Sequence, residues 1–442
     1  MIRFDDFKIL KPLRIRDFAL LWIGMTVSLL GDGIYLVALA WQVYDLSNVP
    51  TALSTVFVAW TAPMVVFLLV GGVMTDRFDR RKVLIFSDVV RGVAIAGVGL
   101  LSVSGHIELW HLYVLVAIYG AGDAFFGPAF GAIVPDIVPR DMLLEANSLG
   151  QFVRPFAMRL AGPALGGFLI AVAGDDAGPA LLVNALTFAV SALCLGLMTA
   201  QPGLREEDDA AKRSALRELL EGLRFVRSRA WLWATLLSAT ASLLFFYGPY
   251  EVLVPYIVRN KLDGSADDLG FVFAVGGVGA ILAALVMAQR GLPRRHIRLL
   301  YGSWAVAVGS VTGYGFVTEI WQAMAVSLVE GAAVTVGMVV WGTMLHRLVP
   351  RELLGRVESL DWFISIGLVP VSFAVTGPIS GALGVDTTLI GAGILGTIAT
   401  LAFLAVPGIF DTEHDGSMSP PSPASSSQEG ESPIVDRERV AG

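Results

Sequence analysis

Long apolar stretches alternate with short polar segments along most of the chain. A helix that crosses a bilayer needs about 20 predominantly apolar residues, and most of these stretches reach that length. They predict spans at 18–43, 51–74, 83–103, 110–134, 144–173 and 178–200, and then at 231–258, 268–289, 297–317, 320–345, 357–383 and 386–408. The pattern therefore predicts an all-α polytopic membrane protein with twelve transmembrane helices.

A polar segment at 201–230 divides the chain into two predicted six-helix bundles, at 18–200 and 231–408. A cytoplasmic segment at 1–17 precedes them, and a Ser/Pro-rich tail at 409–442 follows, which we expect to be disordered. Apolar residues within the linker recur at helical spacing: Leu216, Leu219, Leu220, Leu223 and Val226. They predict an amphipathic helix on the cytoplasmic surface, although a solvated tether explains the segment equally well.

Sequence repeats indicate that the two bundles are related. The stretch VPRDMLLEANSL at 138–149 resembles VPRELLGRVESL at 349–360, an offset of 211 residues. The pair Gly162-Pro163 recurs as Gly377-Pro378, and an Arg-Arg pair recurs at a similar offset. Two pseudo-symmetric halves of this kind place a substrate site between them, near the membrane midplane.

The distribution of bases predicts the orientation. With both termini in the cytoplasm, 26 of the 31 Lys and Arg residues fall on cytoplasmic segments. Only Arg259 and Lys261 fall outside, and Arg91, Arg154 and Arg159 lie within spans. Cytoplasmic loops of membrane proteins carry the excess of Lys and Arg, so this bias supports an even number of spans.

Composition excludes several classes of protein. Hydrophobic residues make up 55% of the chain and charged residues 16%, with a mean hydropathy of +0.70, whereas soluble domains carry about 25% charged residues. The net charge of −7 comes mostly from the acidic tail, and no basic surface suggests nucleic acid. A phosphate-binding loop, a metal-ligand spacing and a catalytic arrangement are all missing from the sequence, so we expect no cofactor, no metal and no enzyme activity. The expected partners are a small-molecule substrate and the lipid bilayer, and we expect a monomer.

Charged residues deep within predicted spans are candidates for function. A charge at the bilayer centre costs roughly 2.5–3.5 kcal/mol on insertion scales, so it persists where it faces a cavity or a partner. The candidates for proton coupling or for the substrate cavity are Asp123, Asp32, Glu330, Arg154, Arg159 and Glu251. A carboxylate in such a cavity can take up a proton on one side of the membrane and release it on the other.

We rank Asp123 first for coupling, Asp32 second and Glu330 third. Arg154 and Arg159 are the expected counter-ions of Asp123, because their depths match, and one of the two is expected to face the cavity. The alternative for each acid is a buried structural pair that never titrates. Asp88 and Arg91, closer to the predicted cytoplasmic end, are expected to form interfacial pairs or gate contacts.

The segment from Gly72 to Lys82, GVMTDRFDRRK, resembles the loop motif of the major facilitator superfamily. The family has glycine where this chain has Asp79, a departure shared by the branch with macrolide-efflux and enterobactin-exporter-like proteins. Gly162, Pro163, Gly166 and Gly167 resemble the antiporter motif of that superfamily. The resemblance implies a twelve-helix fold that works by alternating access.

The resemblance also implies a latch that closes the cytoplasmic side in the outward-facing state. Its residues here are Gly72, Asp76, Arg77, Arg80, Arg81 and Asp136. Small Gly72 would let the second span approach a neighbour closely. The alternative is that the bases of this loop serve only to orient the chain.

These observations lead to one functional expectation, secondary active transport across a bacterial cytoplasmic membrane, with export of amphipathic drug-like or natural-product molecules in exchange for protons. The alternatives are export of a siderophore or lipid-like metabolite, symport by the same fold, or a membrane sensor that transports nothing. Arg154 and Arg159 favour an anionic substrate, whereas the acids and aromatic residues favour a cationic or neutral one. The sequence leaves this choice open.

Overall fold

The computed structural model describes residues 8–139, 142–199 and 220–414, and every regular element within these ranges is a helix. Eleven of these helices are long and apolar enough to cross a membrane. A further helix, His296–Phe316, has 21 residues and is therefore of spanning length, but polar residues lower its hydropathy. The described helices are consistent with the predicted twelve.

We number the spans in chain order. Spans 1 to 4 are Arg16–Leu46, Pro50–Arg77, Arg80–Val103 and Leu109–Ile137, span 5 comprises Leu143–Pro155, Phe156–Ala161 and Gly162–Val172, and span 6 is Gly178–Leu197. Span 7 comprises Ala230–Gly248, Pro249–Leu253 and Val254–Asn260, and spans 8 to 10 are Ala266–Arg290, His296–Phe316 and Ile320–Leu348. Span 11 comprises Arg351–Gly367 and Val369–Leu383, and span 12 is Val385–Ala402. A short helix, Lys8–Arg14, precedes span 1, and another, Asp411–His414, follows span 12.

Spans 5 and 7 are not continuous α-helices. Each contains a π-helical segment, Phe156–Ala161 in span 5 and Pro249–Leu253 in span 7. Pro155 and Pro249 stand at the starts of these segments, and proline removes a backbone donor and clashes with the preceding turn. A π segment accommodates this disruption, and such segments are frequent at functional sites. Hydropathy does not reveal the change, because the apolar run continues through it.

The Gly-Pro motif of span 5 forms a strip of close helix contacts. A Cβ on Gly162 would lie 2.6 Å from the Cα of Gly33 in span 1, and one on Gly167 would lie 2.7 Å from the Cα of Asp267 in span 8. In the other half, a Cβ on Gly377 would lie 2.7 Å from the Cα of Thr51 in span 2. Small residues therefore let the two halves meet through spans 5 and 8 and through spans 2 and 11.

Apolar packing differs between the two ends of the bundle. We call the end that carries the loop Phe78–Asp79 the inner end, following the predicted orientation, and the opposite end the outer end. Toward the outer end one buried cluster contains residues of both halves, from Ile34 in span 1 to Phe373 in span 11. Toward the inner end the described clusters are separate, one in each half. The two halves thus pack against each other at the outer end and are separate at the inner end.

The linker is described only from residue 220, and Leu216 and Leu219 lie outside the described residues. Residues 220–228 are helical, as predicted. Val226 is buried, whereas Leu220 and Leu223 are exposed. Glu221 forms an ion pair of 2.9 Å with Arg356, which ties this helix to span 11. The predicted disordered tail lies outside the described residues from 415 onward.

We expect Gly277→Ala to destabilise the protein. A Cβ at this position in span 8 would lie 2.5 Å from the backbone oxygen of Arg159 in span 5, so the halves would have to separate locally. Overpacking of this kind costs about 1–3 kcal/mol. The matched variant is Gly302→Ala in span 9, where nothing lies within 4 Å, and where alanine gains up to about 1 kcal/mol of helix propensity. Thermal unfolding of the purified variants should give a lower midpoint for Gly277→Ala only, and equal midpoints would contradict this packing.

Candidate functional site

Three carboxylates surround one arginine in the middle of the N-terminal half. We call Asp32, Asp88, Arg91 and Asp123 the N-half cluster. An Nη atom of Arg91 lies 2.7 Å from Asp88, and the other lies 3.3 Å from Asp123. Asp88 and Arg91 are fully buried, whereas the side chain of Asp123 is 26% exposed. Asp123 is therefore the more accessible of the two carboxylates that hold the arginine.

Arg91 is a central residue of this site, which corrects the expectation that it forms an interfacial contact. Its guanidinium carbon lies 4.6 Å from the ring centroids of both Phe126 and Phe188. Aromatic faces stabilise a cation that has left water, and the two carboxylates balance its charge. The predicted pairing of Asp123 with Arg154 or Arg159 is wrong, because span 3 supplies the arginine. The depth of a residue along a span does not specify which neighbouring helix it faces.

Asp32 is held differently from the other two acids. The hydroxyl of Tyr119 donates a hydrogen bond of 3.0 Å to its carboxylate, and no ion pair of Asp32 is present among the described residues. Tyr119 also packs against Tyr35, at 4.8 Å between ring centroids, and against Trp60 at 5.5 Å. Spans 1, 2 and 4 thus place this carboxylate beside three aromatic rings that pack against one another.

A second charged cluster lies between the halves. We call Arg159, Glu330 and Glu251 the interhalf cluster. An Nη atom of Arg159, in the π segment of span 5, lies 3.3 Å from Glu330 in span 10. Glu330 is fully buried, and the side chain of Arg159 is 38% exposed. Arg159 also lies close enough to Glu251, in the π segment of span 7, to interact with it electrostatically.

Arg154 does not join either cluster. It is exposed on span 5, and within the described part of the chain it forms no ion pair. Of the two arginines that were predicted to compete for the cavity, Arg159 is therefore the one that contacts an acid. The π segment begins after Arg154 and contains Arg159, so it changes the angle between the two side chains around the helix.

The loop motif ties three helices together at the inner end. Arg80 forms an ion pair with Asp136 at the end of span 4 and donates to the carbonyl of Ala132 at 3.0 Å. Arg81 donates to the carbonyls of Leu195 and Gly196 and so caps span 6. Asp79, the departure from the family pattern, accepts from the backbone N–H of Arg81 at 2.9 Å and caps the start of span 3.

One member of the predicted latch, Gly72, behaves differently from expectation. Nothing lies within 4 Å of a Cβ built on Gly72, so the predicted close approach there is wrong, and the neighbouring Gly71 instead contacts the backbone of Ala124. Arg77 is exposed at the end of span 2. The side chain of Asp76 lies outside the described part of the structure.

Polar contacts between the halves form a clasp at the outer end, which the sequence did not predict. Asn48, after span 1, and Asn260, at the end of span 7, exchange side-chain hydrogen bonds of 2.5 and 2.9 Å. These residues are 212 apart, close to the repeat offset, so two equivalent amides meet near the pseudo-symmetry axis. Tyr44 donates to the carbonyl of Val252 at 2.6 Å.

Arg259 completes this outer clasp. Its guanidinium lies 3.3 Å from Asp45, and its carbon lies 4.8 Å from the ring centroid of Trp41. Lys261 instead pairs with Asp386 at 2.8 Å, within the C-terminal half. The two bases that break the orientation rule thus have described partners. The presence of these two bases on the outer side was the feature of the sequence that could have indicated the clasp.

Comparisons with known proteins agree with this architecture. The family of transmembrane secretion effectors matches residues 8–428. Macrolide efflux protein A of Streptococcus pyogenes is 24% identical over 382 residues, which is 86% of this chain and 93% of that protein. The multidrug efflux pump Tap of Mycolicibacterium fortuitum is 26% identical over 399 residues, 86% of this chain and 91% of that protein. The structure resembles a bacterial homologue of the iron transporter ferroportin in an inward-facing state, with a TM-score of 0.66 at 15% identity, covering 89% of this chain and 99% of that one.

We expect Arg259→Gln to open the outer end more often. The variant loses the ion pair with Asp45 and the contact with Trp41, which together contribute about 0.5–1 kcal/mol at an exposed site. That loss should raise the outward-open fraction by about two- to fivefold. Spin labels at His106→Cys and Glu319→Cys, in outer loops of opposite halves, would report the distance distribution in a Cys194→Ser background.

Lys261→Gln is the matched control, because it removes an outer ion pair that does not cross between the halves. Its distance distribution should equal that of the parent. An equal shift in both variants would mean that the outer clasp acts only through general charge at the surface.

Proposed function

Since the chain belongs to the transmembrane secretion effector family of the major facilitator superfamily, we propose that it exports amphipathic drug-like or natural-product molecules in exchange for protons. The resemblance seen in the loop motif is thereby confirmed, and the chain is a multi-pass membrane transporter. The proposed location is the bacterial cytoplasmic membrane, with both termini in the cytoplasm, as the distribution of bases favours.

The observation that carries the proton coupling is the N-half cluster, with three carboxylates for one arginine. Full ionisation would leave two uncompensated negative charges in a medium where each is costly. Uptake of protons relieves this excess. Asp123 is the first site of uptake in our proposal, because it is the more accessible partner of Arg91 and its contact is the longer of the two. Once Asp123 is protonated, Arg91 still has Asp88, so the arginine is never left without a counter-ion.

In our proposal, alternating access determines the direction in which protons and cargo cross the membrane. The halves are packed together at the outer end and apart at the inner end, so the described arrangement suits loading of cargo from the cytoplasm. In our proposal the outer clasp opens as the Arg80–Asp136 region closes against the other half. The Gly-Pro strip of span 5 serves as the contact about which the halves turn.

The substrate class rests on relatives whose names refer to macrolide and multidrug efflux. Tyr35 and Tyr119 are buried in the core, so the half-buried Trp60 and the partly exposed Asp123 are the groups here that suit contact with an amphipathic molecule. A siderophore or a lipid-like metabolite remains the second candidate for export. We propose that the transporter acts as a monomer that needs no bound cofactor beyond the proton gradient.

We expect Asp123→Asn to lose proton-driven transport, because an amide cannot load or release the proton. Purified protein in vesicles under an imposed pH gradient would be tested with an amphipathic fluorescent dye. Dye movement by the variant should fall to the level of protein-free vesicles, whereas dye exchange without a gradient should persist.

The control is Asp175→Asn, which makes the same change in an exposed loop whose φ of 69° asparagine tolerates well. It should transport like the parent. If Asp123→Asn responded fully to the pH gradient, Asp123 would not be the coupling residue, and failure of the parent to respond would overturn the proposed antiport.

A further inference from the structure

The interhalf cluster contains one acid that has a partner and one that has none among the described residues. Oε1 of Glu330 pairs with Arg159, and the hydroxyl of Tyr250 lies near the same carboxylate. Among the described residues, Glu251 takes part in no hydrogen bond or ion pair, although it is half-buried within span 7. A half-buried carboxylate without a partner is costly in a low-dielectric site, which indicates that Glu251 binds a group that is missing from the structure.

The formal charges of the cluster define that partner. Arg159 balances one of the two carboxylates, so the cluster carries one unit of excess negative charge when all three groups are ionised. A monovalent cation would neutralise it. An anion would have to displace Glu330 from Arg159 and would leave two carboxylates unbalanced.

Aromatic residues lie around Glu251, and of these Tyr247 is half-buried whereas Tyr250 and Phe246 are buried. Tyr250 stacks on Phe246 at 5.1 Å between ring centroids, and Tyr247 packs against Phe373 at 6.4 Å. Tyr247 and Tyr250 are close enough to Arg159 to interact with it electrostatically. Aromatic faces attract organic cations, and a carboxylate beside them supplies the charge.

We propose that Glu251 and the tyrosines around it bind the cationic group of the transported molecule, in a site separate from the N-half cluster. The inference rests on the proposed function and deepens it, because it assigns proton exchange and cargo binding to two different sites. Protons are exchanged at Asp123 and Asp32, and the cargo is recognised where spans 5, 7 and 10 meet. The backbone of Arg159 lies against span 8 at Gly277. Binding of a cation beside Arg159 is therefore expected to alter the packing between the halves at this contact.

Arg159 competes with the cargo for the same carboxylates. When Glu330 holds the arginine, Glu251 is available to the cation. When Glu330 loses its charge, the released guanidinium is expected to turn to Glu251 and to repel the cation. Charge balance within the cluster, rather than any single acid, therefore sets the affinity.

The test is equilibrium binding of radiolabelled tetraphenylphosphonium to the purified full-length protein in detergent, with neutral triphenylphosphine oxide as the competitor of similar shape. Glu251→Gln should weaken binding by roughly tenfold to a hundredfold, as expected for loss of a contact to a charged group. Glu251→Asp should retain most of the affinity. Glu319→Gln is the control, since it makes the same change on the exposed outer surface.

A second set of variants separates electrostatics from simple damage to the fold. Glu330→Gln should weaken binding about as much as Glu251→Gln, because Arg159 is then free to occupy Glu251. The Arg159→Gln/Glu330→Gln double variant should restore binding. It removes one positive and one negative charge, so the net charge of the cluster is unchanged and no arginine competes with the cation for Glu251. A purely structural role for the pair would make the double variant at least as weak as the single one.

The outcomes distinguish this site from the proposed function. Unchanged affinity in Glu251→Gln, equal competition by the neutral analogue, or no binding by the parent would overturn the cation site. Proton-driven movement of tetraphenylphosphonium in vesicles is measured separately on the parent. If the parent binds the cation through Glu251 but a pH gradient does not move it, the antiport proposal fails and the site stands.

Discussion

The cost of holding an ionised side chain out of water governs how this protein is built. Two arginines deep in the bundle are compensated by carboxylates. Arg91 is held by Asp88 and Asp123 and lies between two phenylalanine rings. Arg159 is held by Glu330 across the boundary between the halves. Because the dielectric is low, a change of one charge at either place alters the balance of the whole cluster. A transporter needs this sensitivity if the uptake of one proton is to influence the relative movement of its two halves.

The two clusters differ in their relation to the moving parts. The N-half cluster is contained within one bundle, so its protonation can change without any contact between halves being broken. The interhalf cluster joins span 5 of one half to span 10 of the other, and its residues Arg159 and Glu251 lie within the two π segments. Such segments are frequent at functional sites. In our proposal, ion exchange therefore takes place within one half, and cargo is recognised at the boundary between the halves.

Close packing explains how the halves remain together while they move. The Gly-Pro strip of span 5 brings its backbone against spans 1 and 8, and Gly377 brings span 11 against span 2. At the outer end, the clasp adds a buried hydrogen bond from Tyr44, together with amide hydrogen bonds and one ion pair at exposed or half-exposed positions, where each contributes little. Weak contacts are suitable there, since a strong clasp would trap the transporter in one state. The loop motif works differently, because Arg80 and Arg81 reinforce a single half.

Hydropathy and the distribution of bases were sufficient to determine the membrane-spanning helical class, because both depend on composition over long stretches. The repeats indicated two related halves, and the resemblance of the loop and Gly-Pro motifs implied the superfamily. The sequence also identified Asp32, Asp123, Glu330 and Arg159 as charges that need a reason to be buried. It did not determine which residues meet. The partner of Asp123 proved to be Arg91 on a different span, Glu330 took Arg159 from the other half, and Gly72 made no close contact. These pairings depend on the rotation of each helix about its axis and on the π segments that alter it. Such angles are set by packing among several helices at once, which no single stretch of sequence specifies.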